Sequence, residues 1–426
     1  MKKQHHVVII GGGFGGLWAA KTFKNSSVKI TLIDKRNFHL FQPLLYQVAT
    51  GSISPGDIAS PLRGILSRQK NLKVMMGQMI DIDYQHQQVI LNDGRIDYDF
   101  LIVATGAVNH YYGNEQWGKY APGLKSIEDA IAIRRKIYSA FEMAEIINDP
   151  VKREELLTFI IIGGGPTGVE LAGAIGEIAH ITLKNDFQNI DPSYSKILLL
   201  EGGKRILPTF PESLAIAAEK SLNKLGVEVR SGVLVKDIIH NGVLVEEDGK
   251  NYRINSTNIM WGAGVKPTQL GEVLVKADGA LLDKQGRIKV NNDLSIPGHE
   301  NVFVIGDLAH FEHNLENPLP GVAPVAMSQG RYAARLIMHL IKGKKYKSYH
   351  YINRGNLAVI GRAAAIADFG WLRVKGYPAW LLWLFVHLMY LVEFDNRLIV
   401  FVEWAWSYFT RKRGVRLITY DINIRD

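Results

Sequence analysis

The 426-residue chain contains no cysteine. Structural disulfides, thiolate-ligated zinc, iron–sulfur clusters and any dithiol redox shuttle are thereby excluded. Internal repeats and low-complexity tracts are absent as well, and no clustering of residues points to a metal site. Pro378–Val392 carries no formal charge with His387 neutral, but this run of about 15 residues is shorter than the roughly 17–25 that a bilayer-spanning helix needs. What remains is the composition of a folded protein, 47% hydrophobic and 21% charged, and long enough for two or three domains with their own cores. Lys and Arg number 50 against 41 Asp and Glu, a net charge of +9. That surplus serves solubility, or draws the protein to phosphates or an anionic membrane surface, and composition does not choose between these. Met1-Lys2-Lys3 before an apolar run superficially resembles a signal peptide, but the run ends in a glycine turn and reads as a strand.

Two glycine-rich fingerprints stand about 150 residues apart, at a spacing that suits separate Rossmann-type units. Val7-Val8-Ile9-Ile10 leads into Gly11-Gly12-Gly13-Phe14-Gly15-Gly16, and Phe159-Ile160-Ile161-Ile162 leads into Gly163-Gly164-Gly165-Pro166-Thr167-Gly168. Both fit G-x-G-x-x-G between a buried strand and a helix, where backbone N–H groups at the helix N-terminus receive a pyrophosphate. Two such units imply two dinucleotides and electron transfer between them. Strands are expected at 7–10 and 28–33 around a helix at 15–24, with Asp34 closing the second strand. Asp34 is either a ribose ligand or only a strand-end turn residue. A further helix is expected over 126–147. The second unit starts at Thr158, and its Lys196–Leu200 strand ends at Glu201, so a longer helix with a turn around 186–195 must intervene.

Strands over 101–107, 258–264 and 301–307 each end in small residues. The last closes on Gly306-Asp307, whose carboxylate can accept a hydrogen bond from the ribitol of a flavin. Glu170, placed by the sequence in the first helical turn of the second unit, either favours the helix dipole or faces a nicotinamide. Glu201 should bond the adenosine ribose and repel a 2′-phosphate, although Lys204 and Arg205 follow closely. Five of the eight tryptophans fall between Trp371 and Trp406, before the basic cluster Arg411-Lys412-Arg413. This segment reads as buried core or dimer interface, as helices lying in a membrane interface, or, less readily, as a spanning helix. Glu403, Ser407 and Thr410 share one helical side, leaving a wide apolar face.

Taken together, these residues resemble the type II NADH:quinone oxidoreductases, or alternative NADH dehydrogenases, over the whole chain. The most specific stretch runs from Asn37 to Gly51, and the two fingerprints, Ala104-Thr105-Gly106, Gly306-Asp307 and the aromatic, basic tail follow in the family's order. The resemblance implies an α/β fold of two Rossmann-type dinucleotide-binding domains, glutathione-reductase-like with the second inserted in the first, plus a C-terminal membrane-associating region. Expected boundaries are 1–120 and 268–343 for FAD, 121–267 for NADH, and 344–426 for the membrane region. By the same resemblance, Gly11, Gly13, Phe14, Gly15, Gly16, Asp34, Lys35, Arg36, Pro43, Thr105, Gly106, Gly306, Asp307 and Ala323 hold non-covalent FAD. Gly163, Gly165, Thr167, Gly168, Glu170, Glu201 and Gly264 hold NADH, and Gln47, Thr50 and Glu170 sit at the reacting centre. The family's quinone pattern, Ala-Gln-x-x-x-Gln, falls on Ala323–Gln329, but Pro324 and Ser328 replace both glutamines and Gln329 lies one residue late, about 100° round a helix. A quinone pocket is therefore expected at Pro324, Met327, Ser328 and Gln329, without a glutamine role.

The activity so implied is oxidation of NADH by FAD, with hydride passing to flavin N5, and two-electron reduction of a membrane quinone without ion pumping. Expected partners are NADH, a quinone, a membrane surface through 371–413 and a second copy in a homodimer; nucleic acid is not among them. The cytoplasmic face of a bacterial inner membrane is the expected location. Sulfide:quinone oxidoreductases and disulfide reductases share this layout but need cysteines. A flavin-dependent NAD(P)H reductase feeding a small redox protein, and a non-catalytic NADH-sensing flavoprotein, are the alternatives.

Overall fold

Both apolar runs that precede the glycines are interior strands of parallel sheets, covered on both faces, which is why they read as unbroken Val, Ile and Phe rather than alternating. The computed structural model describes residues 4–278, 280–312 and 317–418. Met1-Lys2-Lys3 and the stretch 419–426 of the expected C-terminal region lie outside the described residues.

The chain divides into two compact units, and residues up to 40, 59–108 and 265–352 form the first. Its sheet places His6–Ile10 between Lys29–Asp34 and Phe100–Val103, with Leu72–Met76 beyond the one and His299–Val304 beyond the other, all parallel. The short antiparallel strand Ser295–Ile296 closes one edge. The helix after the first fingerprint, Phe14–Thr22, packs on Ala323–Leu340. A Cβ on Gly330 would lie 2.2 Å from the Gly15 carbonyl oxygen, so the two backbones meet directly.

The second unit comprises residues 41–58, 109–264 and those from 353 on. Here Thr158–Ile162 lies between Lys196–Glu201 and Asn258–Trp261, with Val227–Ser231 outermost, again all parallel. The interval between Gly168 and Glu201 holds the helix Pro166–Glu177, a π-helical turn over Ile178–Thr182 and a 3-10 turn at Pro192–Tyr194. The helix Ile127–Ile146 starts from a capping box, in which the Ser126 side chain accepts from the Asp129 N–H while the Asp129 carboxylate accepts from the Ser126 N–H.

These units are cut differently from the three parts read in the sequence. Residues 41–58, which carry Pro43, Gln47 and Thr50, group with the second fingerprint. So do the described residues from 353 on. The physical reason is close packing of the strand Asn356–Gly361 against the helix Pro166–Glu177. A Cβ on Gly173 would fall 1.7 Å from the Ile360 carbonyl oxygen, so only glycine allows the strand to lie there. The aromatic segment forms two helices, Tyr377–Tyr390 and Phe394–Thr410, broken where Glu393 takes φ +68°. No described helix is long and apolar enough to cross a membrane.

Candidate active site

In the first unit the glycines are where a backbone, not a side chain, must fit. Gly11 has φ +100°, and a Cβ there would lie 2.3 Å from the Ala104 oxygen; one on Gly16 would lie 1.8 Å from the Gly11 oxygen. Gly13, by contrast, faces open space. It caps Phe14–Thr22 without a side-chain hydrogen bond, and no acid occupies the first turn. An uncrowded, uncapped helix N-terminus is what an anionic pyrophosphate needs. Asp34 accepts the Gly12 N–H at 2.5 Å and the Arg36 N–H at 2.7 Å, and each carboxylate oxygen keeps a second lone pair for ribose hydroxyls. Burial pushes the Asp34 carboxyl up, against the pull of those two N–H groups. Lys35 is exposed, and the Arg36 guanidinium lies 5.6 Å from the Phe38 ring centre.

Deeper in the same unit, Gly106 and Gly306 take φ +70° and +72°. The Thr105 hydroxyl is bonded to that of Thr268 at 2.7 Å. Gln329 is buried, and its Oε1 accepts the Gly306 N–H at 2.7 Å. This side chain therefore orients the Gly306-Asp307 turn. Asp307 is half-buried. Ala323 opens its helix with no side-chain cap on the preceding Val322. Met327 is buried, and Pro324 and Ser328 are half-buried on the same helix.

The second unit repeats the device. Gly163 has φ +104°, a Cβ on Gly168 would lie 1.9 Å from the Gly163 oxygen, and Gly165 faces open space. Thr167 is exposed. Glu201 accepts the Gly164 and Gly203 N–H groups, both at 2.6 Å, as Asp34 does in the first. Arg205 is turned away from a phosphate role, because its guanidinium donates to the Leu207 and Pro208 carbonyls at 3.1 and 3.0 Å. Gly264, at φ +155°, lies so close under Tyr112 that a Cβ would meet the hydroxyl at 2.7 Å. One expectation is corrected. The helix begins at Pro166 and its first turn holds no acid, so Glu170 is its fifth residue and lies beyond the reach of the N-terminal dipole.

Glu170 faces a cavity of about 130 Å3 within the second unit. Tyr46 and Gln47 form one wall, Glu177 and Arg362 another, and Trp380, Trp383, Trp404 and Tyr408 close it. Glu170 is half-buried, and desolvation of its carboxyl pushes it up to about 8 against a hydrogen bond with the Val359 backbone. Tyr46 is held well above the ordinary phenol range by burial and then by the nearby Glu170. Gln47 donates from Nε2 to the Tyr46 hydroxyl at 2.9 Å and accepts the Trp404 indole N–H at 2.7 Å. Thr50 is fully buried; its hydroxyl donates to the Tyr46 carbonyl at 2.9 Å, and its own carbonyl accepts from Tyr138 and Arg413. Pro43 lies in a 3-10 turn, Gln42–Leu44, half-buried. None of Pro324, Met327, Ser328 and Gln329 lines this cavity. Sequence reasoning missed Tyr46, Glu177, Arg362 and the inward turn of Trp383 and Trp404. The five tryptophans and three tyrosines of 371–408 pointed to a membrane face, and only tertiary packing separates those that turn in.

Residues 5–330 match the family model of pyridine nucleotide-disulphide oxidoreductases, and residues 353–413 match that of the NDH2 C-terminal domain. Type II NADH:quinone oxidoreductase NdhA of Mycobacterium tuberculosis is 44% identical over 426 residues, spanning 98% of this chain and 90% of the relative. The chain belongs to the type II NADH:quinone oxidoreductase family. A Staphylococcus aureus type II NADH:quinone oxidoreductase is 30% identical over 361 residues, 83% of this chain and 87% of the relative. The fold matches NDH2 from Plasmodium falciparum, solved in complex with NADH, at a TM-score of 0.88 and 20% identity, over 97% of this chain and all of that one. It also matches the sulfide:quinone oxidoreductase of Aquifex aeolicus at a TM-score of 0.74 and 20% identity, covering 96% of each chain. At these identities the structures speak for the fold alone. Without cysteine, a type II oxidoreductase of this sequence shares the disulphide reductases' scaffold but none of their thiol chemistry.

Two expectations follow from this geometry. Because the folded Glu170 carboxyl ionises about 8 rather than near 4.5, the unfolded chain sheds this proton first. Stability should fall as pH climbs through that window, by on the order of 3 kcal/mol, and level off above it. Glu170→Gln should remove that slope; urea unfolding at pH 5 and pH 8 checks it, and identical slopes would refute the shift. Glu201→Ala should raise KM for NADH about tenfold, the equivalent of one charge-assisted hydrogen bond, and narrow the preference over NADPH. Steady-state kinetics with both nucleotides measures this, and an unchanged preference would remove Glu201 from the nucleotide site.

Proposed function

We propose that this chain oxidises NADH and reduces a membrane quinone through a bound FAD. The observation that carries the reading is the pair of uncapped, glycine-lined helix N-termini, each with an acid closing the adjacent strand. Bound FAD supplies the two-electron exchange between nicotinamide and quinone, chemistry that side chains do not perform. The residues around Gly11, Gly16, Asp34 and Asp307 hold FAD, and those around Gly163, Gly168 and Glu201 hold NADH.

The cavity in the second unit takes the quinone ring. Its aromatic walls suit a flat apolar ring, and Gln47, Tyr46 and Glu170 supply the polar edge. Glu170 carries its proton at neutral pH, because burial holds its carboxyl up to about 8. It can therefore give an O–H proton to a quinone oxygen and recover it from solvent. Gln47, fixed between Tyr46 and Trp404, orients that oxygen, and Thr50 locks the backbone beneath it. Within the first unit, Gln329 serves the Gly306 turn instead of a quinone, which supports moving the quinone site away from 324–329.

The two aromatic helices dock on the membrane surface. Leu381, Phe385 and Met389 on one, and Leu398, Phe401, Val402, Trp406 and Phe409 on the other, are all exposed, and clustered apolar side chains of this kind suit a membrane interface. Arg411 and Lys412 beside them suit anionic headgroups on a cytoplasmic face. The homodimer rests on the family resemblance, and light scattering of the detergent-solubilised protein would show it or a monomer.

An anaerobic NADH titration of the purified holoprotein, followed by a short-chain quinone, tests the function. Bleaching of the flavin band by NADH and its return with quinone at catalytic rates are expected; bleaching without return would move the acceptor to a protein carrier. For the membrane face, Phe385→Asp with Phe409→Asp should cut pelleting with anionic liposomes at least tenfold, and full retention would overturn it.

A further inference from the structure

The helix Phe394–Thr410 carries two acids, Asp395 in its first turn and Glu403 midway along, among exposed apolar side chains. Glu403 is half-buried, and its Oε2 is enclosed with no hydrogen-bond donor. The short helix Pro55–Ile58 packs against it, bringing up Asp57, which is 9% exposed. Asp57 Oδ2 already accepts the Ser54 N–H at 2.6 Å. Two carboxylates within hydrogen-bonding reach repel one another, whereas a carboxyl and a carboxylate share a proton and satisfy the enclosed oxygen. Burial first, and then the charge and hydrogen bond of Asp57, push Glu403 up to about 7. Burial likewise raises Asp57. The neighbouring helix Tyr377–Tyr390 carries two phenols at its ends and His387, which burial holds down at about 4 and hence neutral. Asp395, Arg397 and Tyr408 stand on the helix of Glu403 itself, and Arg411 caps its C-terminus.

We propose that Asp57 and Glu403 together hold one proton and deliver it to the molecule bound in the adjoining cavity. This rests on reading that cavity as the quinone site. Asp57 and Glu403 stand behind the cavity wall: Ser407, one helical turn beyond Glu403 on the same face and about 6 Å on, lines the cavity, as does Trp404 next to Glu403. The Glu403 O–H bond breaks as its proton passes to the Ser407 hydroxyl oxygen, the original Ser407 O–H bond breaks as that proton forms an O–H bond on a quinone oxygen, and the pair is left doubly anionic until solvent returns the proton. The quinone gains two electrons from NADH and two protons, one from Glu170 and one from the pair. NADH oxidation releases one proton, so the net uptake is one per turnover. Glu403 and Asp57 thus set how the second quinone oxygen is protonated.

The test uses Glu403→Gln holoenzyme, since the amide still donates to Asp57 and preserves packing but carries no transferable proton. In stopped-flow experiments, flavin bleaching by NADH should match wild type. Reoxidation by a short-chain quinone should be at least fivefold slower at pH 6. Wild-type reoxidation should slow as pH rises through about 7, where the pair loses its proton, and the variant should be flat there. Infrared spectra provide a readout independent of turnover: in a Glu170→Gln background, which removes the Glu170 carboxyl that ionises about 8, a protonated-carboxyl band that disappears between pH 6 and 8.5 should be missing once Glu403→Gln is added. An unchanged rate and pH profile, or a band that persists in that double variant, would overturn the pair. A wild-type flavin that NADH bleaches and no quinone reoxidises would instead defeat the cavity assignment and the delivery step with it, while leaving the infrared band in place.

Discussion

One buried cation organises the second unit. The Arg413 side chain is 6% exposed, and its guanidinium donates to the Thr50 carbonyl at 2.9 Å, the Ala174 carbonyl at 3.2 Å and the Glu177 carboxylate at 3.0 Å. Two of those partners lie on the helix Pro166–Glu177, and the third on the segment that carries Tyr46 and Gln47. Burying a guanidinium costs several kcal/mol unless its donors are matched, so these three acceptors must converge for the charge to be tolerated. Convergence in turn fixes the segment that carries Tyr46 and Gln47 against the helix that carries Glu170. Gly51 and Val415 add a backbone hydrogen bond at 3.0 Å to the same junction. The polar edge of the cavity depends on this tie more than on any local preference of residues 45–50.

The nucleotide-binding parts were legible because their chemistry is local. A strand, a glycine turn and a helix follow one another within about 20 residues, and the acid ending the next strand sits at a spacing set by the same unit. Asp34 and Glu201 therefore appeared in sequence, and the structure gives them the same pair of backbone N–H donors. Gln329 shows the limit of motif transfer. Its residue type matched a ligand pattern, but its one-residue shift places the amide on the Gly306 N–H. Glu170 shows another, since a two-residue offset from the last glycine was read as a first turn when the helix had already begun at Pro166.

The cavity was illegible for a different reason. Its walls come from residues 46–52, 170–182, 359–362 and 380–413, and nothing local joins these. Nor did periodicity separate the two roles of the aromatic segment. Trp383 is 1% exposed while Phe385 is 63% exposed, two positions apart on a helix whose faces are both apolar. A uniformly apolar helix tells that it is covered all round, not by what. The meander over residues 234–255 went unread for a simpler reason: its strands alternate weakly and lie between the two signals that drew attention.

The Thr50–Arg413 contact spans 363 residues of sequence. Closing so long a loop yields nothing until both ends have been made and brought together, and contacts of that separation are the slow ones in folding. During synthesis from the N-terminus, residues 45–58 therefore wait for nearly the whole chain before their side chains lock. Until then the apolar helices that will form the far wall have no partner but each other or a lipid surface. For this protein, reaching the membrane and completing the cavity are late events in the same stretch of chain.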